Sequence, residues 1–302
     1  MALIDLSLNP GEIIVTLMHC CTDNICRVEL IASDKTVPEW NATMSDEVLS
    51  TLVAYLPCAE HFVIYSLSTR HQFGLMHAGG SRLTTLELHN ATHISRSYTI
   101  TQVQMPQLIS LHLIDATSYT TGQGFLSCVA TWIVAPKLAT LTIANCLRGN
   151  GFAVRELVRH FSRTLTKFII LDEFGPLDDT PIALPSLPHL QQFEVDILWA
   201  AKFLSPIGHG TLELPALRII VFQATPDTVL KGLPNGVCRW GPIRTSLNAI
   251  SHHLTLIECC YRARECALGT GASFGDRSSL SLTRSMDNPR GRKRPHPRPI
   301  YI

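Results

Sequence analysis

The sequence is poor in charged residues and contains no long apolar run. Asp, Glu, Lys and Arg make up 16% of the 302 residues, against about 25% in an average globular protein. Hydrophobic residues make up 46%. This excludes an intrinsically disordered chain and leaves enough apolar material for a sizeable core. No stretch reaches the roughly 20 apolar residues that a membrane-spanning helix needs.

Motifs for secretion, metal binding and catalysis are also missing. The first residues show no basic region followed by an apolar segment, so we expect an intracellular protein, in the cytoplasm or the nucleus. The ten cysteines include no C-x-x-C pair, so neither a zinc site nor a redox centre is predicted. The chain has no Walker loop, no G-x-S-x-G and no G-x-G-x-x-G. We therefore expect no enzymatic activity, no metal and no cofactor.

Positive charge is concentrated at the end of the chain. Residues 269–302 contain seven basic and two acidic residues, net +5, which leaves 18 basic and 22 acidic residues in 1–268. A body with this net negative charge is not expected to bind nucleic acid. The terminal segment is rich in Ser, Pro and Arg, so we expect a disordered basic tail. Its basic run Arg290–Pro295 is a candidate nuclear import signal.

One phrase recurs through the middle of the chain: an apolar residue, two of any type, an apolar residue, one of any type, and an apolar residue. Recurrence at a near-constant interval is the sequence signature of repeat architectures. The steps between successive strong copies are 25, 30, 27, 25 and 27 residues. The strong copies begin at Leu83, Leu108, Leu138, Leu165, Leu190 and Leu217, and weaker copies begin at Ile25 and Ala59.

Each copy predicts a short strand, because its last three positions alternate between apolar and variable residues. A proline precedes several copies, which is typical of a strand entry. The segments between copies have helical spacing at Asp46–Leu56, Gly124–Val134 and Phe152–Phe161, and a helix after Asn248 is expected to cap the stack. One strand and one crossover per repeat predict an α/β solenoid, with a parallel sheet on the concave side and irregular helices on the convex side.

The copies that begin at Leu83, Leu108 and Leu138 resemble the L-x-x-L-x-L-x-x-[small] phrase of leucine-rich-repeat proteins. Phrases such as MPQLISLHL and LPALRIIVF resemble the repeat region of fungal F-box proteins. The resemblance covers about residues 20–225. It implies a leucine-rich-repeat-like solenoid over residues 1–268, with its strong repeats in 83–225, followed by the tail 269–302.

A degenerate F-box is an alternative for residues 44–73. The positions that match the first helix of an F-box are Glu47, Val48, Leu49, Tyr55 and Leu56. The opening Leu-Pro of that family is replaced by Met44-Ser45. A crossover helix of a repeat also has this apolar spacing, so we interpret the segment as a further repeat. An F-box would imply a Skp-type adaptor as a partner.

Strand alternation also predicts which side chains face away from the core. An apolar patch rimmed by polar groups is typical of protein-binding surfaces. Ile169 and Leu171 are apolar at outward positions, so either a partner or the loop Phe174–Pro188 must cover them. The predicted partner-binding residues on the concave face are His112, Thr142, Ile169, Leu171, Glu194 and Val221.

These patterns predict a non-enzymatic protein–protein interaction module. The F-box resemblance would make it the substrate-recognition part of an SCF-type ubiquitin ligase receptor. The alternative is a structural scaffold, or a degenerate copy of the family without ubiquitin-ligase function. The expected partner is another protein, and neither a membrane nor a nucleic acid is expected.

Overall fold

The computed structural model describes most of the repeat region. The described residues are 2–5, 24–31, 46–65, 69–89, 101–115, 125–147, 151–172, 181–208, 214–224 and 254–261, together with 12, 15, 18, 19, 247, 248, 279 and 280. The basic run Arg290–Pro295 lies outside them.

Strands alternate with helices along the described chain. The strands are β1 Ala2–Asp5, β2 Arg27–Ile31, β3 His61–Tyr65, β4 Thr85–His89, β5 Val103–Gln104, β6 Ser110–Ile114, β7 Ile133–Val134, β8 Thr140–Ala144, β9 Lys167–Leu171, β10 Gln192–Asp196, β11 Ile219–Ala224, β12 Leu256–Tyr261 and β13 Ser279–Leu280. The helices are α1 Asp46–Ala54, α2 Thr69–Gly79, α3 Phe125–Trp132, α4 Gly151–Phe161 and α5 Ile197–Gly208.

Eleven of these strands form one sheet, and its order follows the chain: β1, β2, β3, β4, β6, β8, β9, β10, β11, β12 and β13. Every pairing from β1 to β12 is parallel, and β13 pairs antiparallel with β12. Strands β5 and β7 pair separately as a short parallel ribbon. The six strands predicted from the strong copies are therefore confirmed, as are their parallel direction and order, and the fold class is α/β.

The apolar positions of the repeat phrase line up across the sheet as two buried rows. One row is Val28, Phe62, Leu86, Leu111, Leu141, Phe168, Phe193 and Ile220, and the other is Leu30, Ile64, Leu88, Leu113, Ile143, Ile170, Val195 and Phe222. None of these side chains is more than 2% exposed. They share one core with helix residues such as Leu157 and Phe203. Full burial of each contributes about 1.5–3 kcal/mol.

The helices lie on one side of the sheet because each presents an apolar stripe. Helix α4 buries five residues at helical spacing: Ala153, Val154, Leu157, Val158 and Phe161. Helix α3 packs against α4, and α1 packs against α2. The helices predicted at 46–56, 124–134 and 152–161 are thus present, although the second ends at Trp132 and the chain continues as β7.

A proline turn leads into several strands. In Met105-Pro106-Gln107-Leu108 the amide of Leu108 donates to the carbonyl of Met105 at 3.1 Å. Proline suits the second position of such a turn because its φ is fixed near −65°. The same bond closes the turns that end at Ala59, Leu138, Leu190 and Leu217.

The entry to each strand repeats a second backbone arrangement. The carbonyl of the residue directly before one strand accepts hydrogen bonds from two successive backbone amides at the entry of the next strand in the sheet. Ile109, for example, accepts from both Ala139 and Thr140 at 2.9 Å. The acceptors from β2 to β11 are Cys26, Glu60, Thr84, Ile109, Ala139, Thr166, Gln191 and Arg218, with N–O distances of 2.8–3.2 Å. Neighbouring copies therefore stack with the same geometry.

Two strands end at residues with a left-handed backbone. Asp115 follows β6 and Asn145 follows β8, and both have a φ of 53°. Asn and Asp tolerate this region better than other residues that carry a side chain. The amide Nδ2 of Asn145 donates to Oδ1 of Asp115 at 2.8 Å. Equivalent turns in successive copies are thereby joined by side chains as well as by backbone.

The prediction of a capping helix after Asn248 was wrong over residues 254–261. This segment continues the parallel sheet as β12, with Leu256 opposite Ile219. Leu254, Ile257 and Cys259 repeat the spacing of the phrase, but this copy begins 37 residues after Leu217 and so falls outside the regular step. The tail also departs from expectation at Ser279–Leu280, which forms β13.

Candidate functional site

The face of the sheet opposite the helices, called the outer face below, is built from the variable positions of the repeat phrase. Its central row is Glu29, Val63, Glu87, His112, Thr142, Ile169, Glu194, Val221 and Glu258. Five of the six predicted partner-binding residues, His112, Thr142, Ile169, Glu194 and Val221, thus lie in this row. The sixth, Leu171, lies in the neighbouring row between Ala144 on β8 and Asp196, which ends β10.

Half of the predicted residues are too buried to form a surface. Thr142 is 6% exposed, Glu194 1% and Val221 4%, whereas His112, Ile169 and Leu171 are half-buried. Neighbours along a row are only about 4.8 Å apart. Large side chains therefore cover small ones, and the outward position alone does not make a residue accessible.

Toward the N-terminal side of the outer face, one carboxylate collects several polar partners. This Glu87 cluster consists of Arg27, Glu29, His61, Glu87 and His89. Oε1 of Glu87 accepts from Nε2 of His61 at 2.8 Å, and Oε2 lies 3.6 Å from Nε2 of His89. Arg27 donates from Nε to Glu29 at 2.9 Å and lies 3.9 Å from Glu87.

The electrostatics of the Glu87 cluster favour an ionised carboxylate. Partial burial raises the pKa of a carboxyl group. In Glu87 the contacts with His61 and His89 outweigh burial and hold its pKa well below the usual range. Burial, followed by the charges of Glu29 and Glu87, raises the pKa of Tyr65.

His112 lies next to Glu87 in the central row. Its Nδ1 is 2.9 Å from Oγ1 of Thr142, which links β6 to β8. Burial lowers the pKa of His112, although the negative charge of Glu87 acts in the opposite direction. The neutral imidazole is therefore the favoured form at this position.

A second carboxylate, on β10, forms the Glu194 cluster with Lys167, Gln192 and Gln223. Nζ of Lys167 lies 2.7 Å from Oε1 of Glu194, whose side chain is 2% exposed. The amides of Gln192 and Gln223 donate to the two carboxylate oxygens at 2.8 Å and 3.2 Å. Both oxygens are satisfied, so this cluster joins β9, β10 and β11.

An apolar seam separates the two clusters. It consists of Ile114, Ala144, Ile169 and Leu171, on β6, β8 and β9. Ile114, Ala144 and Leu171 are direct neighbours in one row. Ala144 is buried, and the other three are half-buried. The seam therefore presents the apolar surface that the sequence predicted at Ile169 and Leu171.

The described part of the loop proposed as a cover lies on the helix side. Residues 181–188 are described, and 174–180 lie outside the described residues. The amide of Ile182 donates to the carbonyl of Lys202 on α5 at 3.1 Å. The side chain of Ile182 approaches Gly151 at the start of α4, and Leu187 is buried in the core. These residues cannot cover the seam.

Sequence reasoning missed the N-terminal third of the outer face. Arg27, His61 and Tyr65 lie in its rows, and Tyr65 stacks on His89 with a ring-centroid distance of 4.2 Å. The signal was present in the weaker copies at Ile25 and Ala59. Extending the alternation through them places all three side chains on this face.

No metal centre or membrane span is found in the part of the chain described. Its His, Cys, Asp and Glu side chains form no group of three or more that is placed to hold a metal ion. None of the helices in the described ranges has the length and apolar character required to cross a bilayer. Comparison of the sequence with family models gives no match, and comparison with curated proteins gives none either.

Proposed function

We propose that the chain is a leucine-rich-repeat-like solenoid that acts as a non-enzymatic protein-interaction module. The repeated strand entries support the solenoid, since each copy contacts its neighbours through the same turn and the same carbonyl. Strand order that follows the chain is also expected of a stack of copies.

The observation that carries the binding proposal is the apolar seam between two polar clusters. Ile114, Ile169 and Leu171 are half-buried on a face opposite the helices. Parallel strands hold them on both sides, so binding costs little ordering entropy. An apolar centre with a polar rim is the common anatomy of protein interfaces.

The region 44–73 favours a repeat over an F-box. Its described residues hold α1, then β3, which pairs with β2 and β4, and then the first residues of α2, so a strand of the main sheet separates the two helices. The turn that closes at Ala59 has the same bond as the proline turns of the other copies. We therefore propose the interaction role without a Skp-type adaptor, and adaptor binding is tested below.

The test is capture of partners by the full chain and by a seam variant. Ile169→Glu combined with Leu171→Lys places two charges in the seam and should abolish capture. The unfolding free energy should barely change, because both residues are half-exposed and lie outside the core. Purified Skp-type adaptor and cullin form a separate arm, in which no binding is expected.

A control variant introduces the same two charges at apolar residues away from the outer face. Ile109→Glu with Phe152→Lys replaces two apolar residues that are 47% and 74% exposed. This variant should capture partners like the parent chain. Unchanged capture by the seam variant, accompanied by a large loss of stability, would contradict the proposal and favour a scaffold whose seam is internal packing.

A further inference from the structure

The outer face carries more negative than positive charge on the strands from β2 to β12. Its acidic side chains are Glu29, Glu87, Glu194, Asp196 and Glu258. Its basic side chains on these strands are Arg27 and Lys167, so its net charge is −3 with histidines counted as neutral. Helix α4, on the opposite side of the sheet, has the reverse sign, because Arg155 and Arg159 outnumber Glu156. A positively charged ligand is therefore attracted to the outer face.

At the N-terminal side of the seam, two carboxylates share one guanidinium. Nε of Arg27 lies 2.9 Å from Oε1 of Glu29, and Nη1 of Arg27 lies 3.9 Å from Oε1 of Glu87. Burial raises the pKa of Glu87, but the contacts with His61 and His89 outweigh burial and hold that pKa well below its usual range. Glu87 is therefore ionised, and the Glu87 cluster keeps one net negative charge with histidines counted as neutral.

An aromatic ring lies between this negative charge and the seam. Tyr65 is half-buried, and its ring stacks on that of His89 with a centroid distance of 4.2 Å. Burial, followed by the charges of Glu29 and Glu87, raises the pKa of Tyr65. His89 is in turn the direct row neighbour of Ile114, the first residue of the seam. An aromatic ring beside carboxylates suits a guanidinium or an ammonium group, and the seam beside it suits an apolar side chain.

The dimensions of the seam define the kind of ligand that fits it. Its strands β6, β8 and β9 are direct neighbours, so the seam is about 10 Å wide, enough for one or two apolar side chains. Glu87, on β4, lies two strand spacings from Ala144 at the centre of the seam, which is also about 10 Å. An extended segment covers this distance in about three residues.

We propose that the outer face binds an extended segment of a partner protein in which an arginine or a lysine lies about three positions from an apolar residue. The apolar side chain lies on the seam between Ile114 and Leu171, and the basic side chain lies over Tyr65 beside Glu87. This inference rests on the proposed function, because it concerns the partner of the same seam. It adds the sign of the partner's charge and the spacing between the charge and the apolar side chain.

The test is NMR of the full chain with its isoleucine δ1 methyl groups labelled. The probes are two synthetic peptides of glycine and serine that carry one leucine, with one arginine three positions before it or three positions after it. The signals of Ile114 and Ile169, identified by their loss in Ile114→Leu and Ile169→Leu, should shift with at least one peptide. The signal of Ile182, on the helix side, should stay in place. Seam signals unmoved by either peptide at millimolar concentration would overturn the inference.

Matched peptides test the charge and the apolar residue separately. Replacement of the arginine by glutamate should weaken binding about fivefold or more. Replacement of the leucine by serine should abolish the shift of the Ile169 signal. Added salt should weaken binding of the arginine peptide, because the attraction to the outer face is screened. Equal affinities of the arginine and glutamate peptides would overturn the inference and leave the seam as an apolar binding site.

A variant of the chain tests the assigned carboxylate. Glu87→Gln should weaken binding of the arginine peptide about three- to fivefold and should not weaken binding of the glutamate peptide. Glu156→Gln is the matched control, because Glu156 lies on α4 and pairs there with Arg159 at 2.7 Å. It should leave both affinities unchanged. A preference for arginine that Glu87→Gln does not reduce would overturn the assignment. The salt dependence needs no substitution, so it decides the sign of the charge even if Glu87→Gln is unstable.

Other occupants of the seam give different results in the same spectra. Seam signals that shift on dilution of the full chain would show a second copy on the seam. Seam signals that shift without peptide in the combined variant Arg292→Glu, Lys293→Glu and Arg294→Glu would show that the chain's own basic run occupies it. Either result would overturn the inference of a partner segment. Capture that survives Ile169→Glu with Leu171→Lys contradicts the proposed function. Capture that depends on the seam, together with equal binding of the arginine and glutamate peptides, contradicts this inference alone.

Discussion

The Glu87 and Glu194 clusters occupy the same row of the outer face and differ in what neutralises their carboxylates. Glu194 is 1% exposed and is held by the permanent charge of Lys167 and by two amides. Glu87 is 16% exposed at its side chain and is held mainly by imidazoles. One carboxylate is therefore buried against a lysine and two amides, and the other is more exposed and contacts imidazoles.

The difference shows that position in a repeat does not determine chemical behaviour. Both carboxylates project from the central position of a strand, with the same register to their neighbours. The residues one strand away decide the outcome. Lys167, Gln192 and Gln223 enclose Glu194 in the packing, whereas His61 and His89 leave the side chain of Glu87 partly exposed.

The largest loss of stability is expected in the buried core that lies beneath both clusters. Leu141 is fully buried beneath the outer face, so Leu141→Ala should lower the unfolding free energy by about 2–5 kcal/mol. Denaturant unfolding measures this loss. A cost near zero would mean that β8 does not contribute to a common core.

The next largest loss of stability is expected in the Glu194 cluster. Lys167→Met leaves the buried carboxylate of Glu194 without its cation, and loss of one partner of a buried pair costs about 3–5 kcal/mol. The lysine side chain is 29% exposed, so we expect about 2–3 kcal/mol in denaturant unfolding. Lys167→Arg should recover most of this stability. Equal losses in the two variants would show that a positive charge at this position is not what stabilises the buried carboxylate.

A smaller effect is expected in the pH dependence of stability at His112, which lies next to Glu87. Because burial lowers the pKa of His112, the unfolded chain binds this proton more readily than the folded chain. Stability from this group is complete above about pH 6.5 and declines below it, by at most about 1.4 kcal/mol per pH unit. Unfolding at pH 7.5 and 5.5 should show a smaller acid loss in His112→Gln than in the parent chain. Identical acid losses in the parent chain and in His112→Gln would refute this assignment.

The smallest effect is expected at Arg27. Its side chain is 39% exposed, and exposed ion pairs contribute about 0–1 kcal/mol. Arg27→Met should therefore change the unfolding free energy by less than about 1 kcal/mol, and added salt should reduce the difference further. A loss as large as that of Lys167→Met would remove the distinction between the two clusters.

The strands and their order were predictable because the information is local. Three apolar positions at fixed spacing define each strand, and the near-constant step defines its neighbour, as at Leu108 and Leu138. Strand β12 was missed because its copy follows an interval of 37 residues. The periodicity also assigned Ile169 and Leu171 correctly to the face opposite the core.

The candidate site was less predictable because its contacts join residues of neighbouring repeats, which are far apart in the sequence. The contact of His61 with Glu87 joins residues 26 apart, and the contact of Lys167 with Glu194 joins residues 27 apart. The alternation of apolar and variable residues along a strand predicts which side of the sheet a residue faces. It does not predict how far the side chains on adjacent strands cover that residue. Thr142 is buried for this reason although its position faces outward.

The carbonyls that accept two amides at the strand entries affect how the protein unfolds. Each entry is tied to the strand before it, so no strand depends on a distant one. Opening therefore proceeds inward from the ends, and backbone amides of β2 and β12 exchange with solvent faster than those of β6, β8 and β9. The seam is carried by these central strands, so it keeps its shape after both ends of the sheet have opened.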